Sequence, residues 1–229
     1  MHSSKLVLVL LAAAGMLAQA CGSEIPSAPS GGTLTVRSVS VSPSGAGLEN
    51  ATQFTFSANL GAASPQTAFA WQFGDGGSSS STTGPTATHV FTRAGTFTVQ
   101  VTVSNSAGQV SASTTVRVAS LVGTWVGTVT GHTGRPTPIT SFELNLSQPL
   151  GPAGLNTPLA ASWTDNAGCR RSNLIFGSVS HPRSVTLGVE QLSCNNGDDF
   201  YLTGTTDDQV QRITGTCTGG CQFQMTRVP

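Results

Sequence analysis

The stretch WQFGDGG, at residues 71–77, places two aromatic residues two positions apart and follows them with an acid set between glycines. Side chains two positions apart on a β-strand point to the same face of the strand. Trp71 and Phe73 are therefore predicted to share the buried side of one strand. The glycines that follow predict that this strand ends in a tight turn.

Asp75 has two interpretations, a turn residue or a catalytic or phosphate-binding acid. Its neighbours Gly74 and Gly76 accept the positive φ angles of a tight turn, and its carboxylate can bond the local backbone. No second acid or base lies beside it in the sequence, and no helix pattern follows to complete a phosphate cradle. A calcium site needs several oxygen ligands, and Glu49 carries the only other carboxylate of residues 32–119. We expect Asp75 to shape a turn.

Short runs of alternating apolar and polar residues, separated by turn residues, extend over residues 32–119 and predict a β-sandwich. The segment resembles the polycystic kidney disease (PKD) domain, an immunoglobulin-like sandwich. The residues that carry the resemblance are Trp71, Phe73, Gly74, Asp75 and Gly76, then His89 and Phe91, then Gly95, Phe97 and Val99, then Val103, Asn105 and Gly108. The resemblance implies an extracellular adhesion, spacer or ligand-contacting module that is not an enzyme.

Composition excludes several classes of partner. Charged residues make up 9% of the 229 residues and the formal net charge is zero, whereas soluble domains typically carry about 25% charged residues. The only lysine is Lys5 and the arginines are scattered, so the clustered basic face that nucleic acids require is missing. Abundant Ser, Thr, Gly and Val, with no long helix-forming run, predicts an all-β protein.

The N-terminus has the pattern of an export signal. A weakly basic start precedes LVLVLLAAAGMLAQA and Cys21, and this apolar run is short and ends in small residues, as cleaved signals do. Residues 1–20 are therefore predicted to be a signal peptide. The segment resembles a bacterial lipoprotein signal, which implies lipidation of Cys21, although Ala18 replaces the leucine of that motif.

Two outcomes of signal cleavage are open. Ordinary cleavage after Ala20 also fits the sequence and would leave an unmodified Cys21. Lipidation accounts for the odd number of cysteines, because four others remain to pair near the C-terminus. Residues 21–31, rich in Ser, Pro and Gly, are predicted to be a flexible tether between the lipidated cysteine and the folded part.

Residues 121–229 contain eight candidate strands with brief turns, which predicts a small up-and-down β-barrel. If successive strands alternate in direction, all four C-terminal cysteines gather at one mouth. The favoured disulfides are Cys169 with Cys194 and Cys217 with Cys221. A tetrahedral zinc site is the alternative, which an oxidising exported setting disfavours.

The opposite end of this barrel carries a second pattern. Gly123-Thr124-Trp125 opens the first strand and Arg227 closes the last. This arrangement resembles the calycin (lipocalin-like) barrels, in which an arginine covers a first-strand tryptophan at the closed base. A guanidinium over an indole gains a cation–π contact.

The mouth is the candidate ligand site. Its loops bring His132, Arg135, Arg170 and Arg171 around any cavity that the inward side chains leave, and the alternative is that those side chains fill the interior. The four histidines are scattered, and the chain has no His-x-x-x-His pair and no Gly-x-Ser-x-Gly elbow. We therefore expect no enzyme activity, no cofactor and no metal site.

These patterns together predict a non-enzymatic, lipid-anchored bacterial lipoprotein of the cell envelope, on the outer membrane or cell surface and facing the periplasm or the exterior. The sandwich would serve for adhesion or as a spacer, and the barrel would bind a carbohydrate, a protein or a small ligand, but no nucleic acid. One alternative is a soluble exported carrier that uses the barrel cavity. The other is an accessory binding subunit of a secreted hydrolase.

Overall fold

The computed structural model describes residues 34–62, 67–76, 80–82, 84–133, 137–152, 159–172, 175–190 and 199–229. The predicted signal peptide, tether and Cys21 therefore lie outside the described residues, as do Arg135 and Cys194. The regular elements of the described part are all β-strands, which confirms the all-β prediction. No helix in it is long and apolar enough to cross a membrane.

The first domain is a sandwich of two sheets. One has three strands in the order β1-β3-β6 and the other five in the order β2-β8-β7-β4-β5. These strands are β1 (Thr35–Ser42), β2 (Gly47–Leu48), β3 (Gln53–Ala62), β4 (Ala68–Gln72), β5 (Ser80–Thr82), β6 (Thr86–Val90), β7 (Gly95–Asn105) and β8 (Gly108–Ala119). The alternating valines of β7 form the buried face of the central strand of the five-stranded sheet.

Aromatic side chains fill the space between the two sheets. Trp71, Phe54 and Phe56 are each 0% exposed, and Phe73 and Phe91 are nearly so. The ring centroids of Phe56 and Phe73 are 5.8 Å apart, and those of Phe54 and Phe91 are also 5.8 Å apart. Such offset and edge contacts add to the free energy gained by burying the rings. The turn after β4 is therefore tied to the core of the sandwich.

The second domain is one ten-stranded sheet that curls into a nearly closed barrel, in the order β11-β14-β15-β16-β17-β18-β9-β10-β12-β13. All pairs are antiparallel except β11 with β14. The strands are β9 (Gly123–Thr130), β10 (Ser141–Leu146), β11 (Gly151–Pro152), β12 (Ala161–Asp165), β13 (Arg170–Ser172), β14 (Ile175–Ser180), β15 (Ser184–Val189), β16 (Phe200–Thr206), β17 (Arg212–Cys217) and β18 (Cys221–Arg227).

The barrel differs from the predicted eight strands at one seam. Two short strands were not predicted: β13, which pairs with β12, and β11, which pairs with β14. These two strands are the edges of the sheet and lie on opposite sides of the seam. The remaining strands follow the up-and-down order, and the first and last strands, β9 and β18, are hydrogen-bonded to each other.

The inward side chains of the barrel pack closely against one another. Phe142, Leu144, Trp163, Leu187 and Leu202 are each no more than 4% exposed. The ring of Trp163 stacks on Phe142 with centroids 4.4 Å apart. These described side chains form one apolar cluster, so they act as a packed interior of the kind expected for an eight-stranded barrel.

Sandwich and barrel share a continuous joint. Ala46, Leu48 and Ala119 of the sandwich belong to the same buried cluster as the barrel interior. The Thr52 hydroxyl donates to the carbonyl of Pro182 at 2.6 Å, and the Arg117 guanidinium donates to the Gln209 side chain at 2.7 Å. The joint therefore combines apolar burial with direct polar contacts.

Candidate functional site

The turn that follows β4 is built around Asp75. The Asp75 carboxylate lies 2.6 Å from Nε2 of His89 on β6, and the His89 ring stacks on Phe73 with centroids 4.0 Å apart. Arg93 donates a hydrogen bond to the Asp75 carbonyl at 2.9 Å. Asp75 and His89 are largely buried, at 12% and 22% side-chain exposure. The acid thus joins the turn to a strand of the opposite sheet, and its described contacts are those of a structural group.

Gly74 permits a close approach between this turn and β7. Its φ is +79°, and a Cβ at this position would lie 2.5 Å from the Thr98 carbonyl oxygen. Gly76, with φ of +82°, has open space around it. The two glycines therefore have different roles: Gly74 needs both its φ and its missing side chain, whereas Gly76 needs only its φ.

The base of the barrel brings Trp125 and Arg227 together as cross-strand neighbours. The Arg227 guanidinium carbon is 5.9 Å from the centre of the Trp125 ring, at the outer limit of a cation–π contact. The same guanidinium donates hydrogen bonds to the carbonyls of Ser120 and Val122, and the Trp125 indole donates to the Leu121 carbonyl at 2.9 Å. The hydrogen bonds are the stronger contribution, and they secure the connection between the two domains.

The three described cysteines at the mouth form disulfides. Cys217 and Cys221 are bonded across the turn that joins β17 to β18, with Cα atoms 5.0 Å apart, which confirms that predicted pair. Cys169 is also disulfide-bonded. These thiols are therefore not available as the zinc ligands of the alternative interpretation. Within the described residues, no group of three or more His, Cys, Asp or Glu side chains could hold a metal ion.

The predicted ligand residues of the mouth are placed differently from one another. His132 is 8% exposed, accepts a hydrogen bond from the Ile139 amide at Nδ1, and packs edge-on against Phe200. Arg171 faces Trp163 across the β12–β13 pair, on the inner side of the barrel, whereas Arg170 is exposed on the outer side. The two adjacent arginines therefore point to opposite faces of β13, although both border one open cleft of about 340 Å³ beside Trp163.

Polar atoms without a described partner lie near Arg171. They are the buried Nε of Arg171, the indole nitrogen of Trp163 and one carboxylate oxygen of Asp165. The other Asp165 oxygen accepts from the amides of Ala167 and Cys169. Two donors and one acceptor on neighbouring inward positions could satisfy a small polar ligand at the mouth. Asp165 was not predicted as a site residue, because its inward position becomes evident only once β12 is placed in the sheet.

The comparison with known families identifies the first domain. Residues 38–118 match the family model of the PKD domain, so the chain contains a PKD domain and the motif that begins at Trp71 is correctly identified. A PKD domain suggests an adhesion or spacer module. No curated protein is similar enough to the chain to count as a relative.

Proposed function

Because residues 38–118 form a PKD domain, we propose that this chain is a non-enzymatic, lipid-anchored protein of the bacterial cell envelope. In this proposal the PKD sandwich is a stiff spacer, and the barrel that follows it presents the ligand-contacting surface to the periplasm or the exterior. The ligand is a carbohydrate or a protein, and no nucleic acid is bound. The protein uses no cofactor.

The joint between the two domains is the observation that carries the spacer role. A spacer can hold the barrel in a fixed position only if the interface between the two domains does not bend. Domain interfaces that are held by few contacts usually move. Here the connecting residues Ser120, Leu121 and Val122 are each bonded through their carbonyls to Arg227 or Trp125. Leu48 and Leu121 are buried in the same cluster as Leu150 of the barrel.

The proposed anchor is supported by the sequence. A short apolar segment ends at Cys21, and if Cys169 pairs with Cys194 as predicted, beside the observed Cys217–Cys221 bond, Cys21 is the odd cysteine that parity assigns to lipid. The contact of Arg227 with Trp125 supports the proposed likeness of the barrel to calycins.

Metabolic labelling with a palmitate analogue tests the anchor. We expect the wild type to incorporate label and Cys21→Ala to incorporate none. A double variant, Cys217→Ser with Cys221→Ser, is the matched control and keeps its label, because its changes lie in the barrel. An unlabelled wild type, or a labelled Cys21→Ala protein, contradicts the proposal.

A soluble carrier, released by cleavage after Ala20, is the second candidate. The atoms of Trp163, Asp165 and Arg171 that have no partner among the described residues favour it, because a small polar ligand would satisfy them. The intact mass of the mature protein distinguishes the two candidates: a diacylglycerol adduct supports the anchored protein, and its absence supports the carrier.

A further inference from the structure

The outer face of the barrel carries continuous cross-strand rows of uncharged hydrogen-bonding side chains. The register of β14 to β18 and β9 aligns one such row across six strands: Ser178, Thr186, Thr203, Thr216, Gln222 and Thr130. A second row runs beside it: Ser180, Ser184, Thr205, Thr214, Gln224 and Thr128. All of these residues are exposed or half-buried. The side chains of these two rows can both donate and accept hydrogen bonds, and they carry no charge.

An aromatic cleft adjoins the first row. The register places Phe176, Gly188 and Tyr201 side by side on β14, β15 and β16. Together with Ser178 and Thr186 they line a cleft of about 330 Å³, which is within the usual range of ligand pockets. Tyr201 is the only tyrosine of the chain and is 43% exposed. A partly exposed aromatic ring thus lies beside the first three residues of the row.

Gly188 determines how the Tyr201 ring lies. A Cβ on Gly188 would be 2.7 Å from Cε1 of Tyr201, so the ring rests directly over the glycine. The Tyr201 hydroxyl also donates a hydrogen bond to the Asp199 carboxylate at 3.2 Å. The ring is therefore held at both its edge and its hydroxyl, which lowers the entropy cost of stacking a ligand on it.

Carboxylates complete the cleft. Glu190 lines it, close enough that its charge contributes to a raised pKa of Tyr201, and Asp199 holds the Tyr201 hydroxyl. Carboxylates accept the hydrogen bonds that ligand hydroxyl groups donate. The cleft thus offers an aromatic face for C–H groups and oxygen acceptors for hydroxyl groups.

We propose that this cleft binds one ring of a neutral saccharide and that the following sugar units lie over the adjacent row of hydroxyl and amide side chains. A sugar ring has an apolar face of C–H groups and a rim of hydroxyls, which matches Tyr201 and Phe176 beside Glu190. An organic cation would also be attracted by the ring and the acids. The uncharged side chains of the row beside the cleft, however, provide no further negative charge for a cation. The inference rests on the proposed role of the barrel as the ligand-contacting part, and it is independent of the anchor.

Calorimetric titration of the full chain tests the proposal. The probes are three neutral hexasaccharides, cellohexaose, maltohexaose and chitohexaose, with tetramethylammonium as the cationic alternative. We expect at least one hexasaccharide to bind and Tyr201→Ala to weaken that binding about tenfold, the effect of a lost aromatic stacking contact. Val126→Ala is the matched control, because Val126 is also 43% exposed on the outer face, and it binds as the wild type does.

The Gly188→Ala variant keeps Tyr201 and changes only where its ring lies. The added methyl group displaces the ring, so we expect weakened binding with an unchanged melting temperature. The proposal is overturned if no hexasaccharide binds, if tetramethylammonium alone binds, or if Tyr201→Ala and Gly188→Ala both bind normally. Palmitate labelling of the same protein reports on the anchor separately, so failure of either idea is recognised by itself.

Discussion

Single residues decide whether the signature turn is structural or chemical. Asp75 contacts His89 and Arg93, and both contacts join the turn to neighbouring parts of the sandwich. The stacking of His89 on Phe73 places the imidazole at the edge of the apolar core. Conservative changes at these positions should therefore alter the stability of the fold.

Asp75→Asn should lower the free energy of unfolding by about 1–2 kcal/mol, because a largely buried charged hydrogen bond to His89 is weakened. Urea denaturation measures the effect. Glu143→Gln is the control, since Glu143 is exposed on the outer face of β10, and it should change stability by less than about 0.5 kcal/mol. Equal stabilities of the two variants would show that the Asp75 contact has no structural role.

Tyr201 gives a direct spectroscopic test of its surroundings. The hydrogen bond to Asp199, then burial, then the charges of Asp199 and Glu190 raise the pKa of its phenol above the ordinary value, which is near 10. Folding therefore favours the neutral phenol, so this contribution to stability is complete below about pH 10 and is lost as the pH rises through the folded-state pKa.

Absorbance of the phenolate follows this titration without interference, because the chain has one tyrosine. Asp199→Asn removes the charge beside the phenol and should move the pKa of Tyr201 down toward its ordinary value. An unchanged titration midpoint in Asp199→Asn would mean that the carboxylate does not contact the phenol in solution.

At the scale of the strands, the sequence predicts which side chains share a face better than it predicts which strands pair with each other. The two-residue spacing of Trp71 and Phe73 is enough to identify a buried strand face. The outer rows of threonines are not visible in the same way, although Thr203-Gly204-Thr205 has the required alternation, because a row exists only once register aligns separate strands. The short edge strands β11 and β13 were not predicted for the same reason: the choice of a pairing partner is a tertiary property.

The β16–β17 pair contains a glycine contact that tests this register. Gly204 and Gly215 are opposite each other, and a Cβ on Gly215 would lie 2.0 Å from the Thr203 carbonyl oxygen. Gly215→Ala should therefore cost at least about 2 kcal/mol of stability, because the strands must separate to admit the methyl group. Gly84→Ala, where a Cβ meets nothing within 4 Å, is the matched control in thermal denaturation. A Gly215→Ala protein as stable as this control would refute the pairing.

If the PKD domain is a spacer as proposed, the sandwich and the barrel should move as one stiff unit. The connecting residues are fixed by Arg227 and Trp125, and Leu48 and Leu121 are buried with the barrel core. The sequence predicted both the sandwich and the contact of Arg227 with Trp125. It did not predict that this contact would secure the joint, because Ser120 and Val122 have no distinguishing pattern.

The most direct test of the central claim is the measurement of 15N relaxation for backbone amides in both domains. If the PKD sandwich is a stiff spacer for the barrel, amides of β7 and β17 will report the same overall rotational correlation time and one diffusion tensor. Arg227→Ala should then separate the two values, because the connection loses its hydrogen bonds. Two different and shorter correlation times in the wild-type chain would contradict the stiff-spacer proposal.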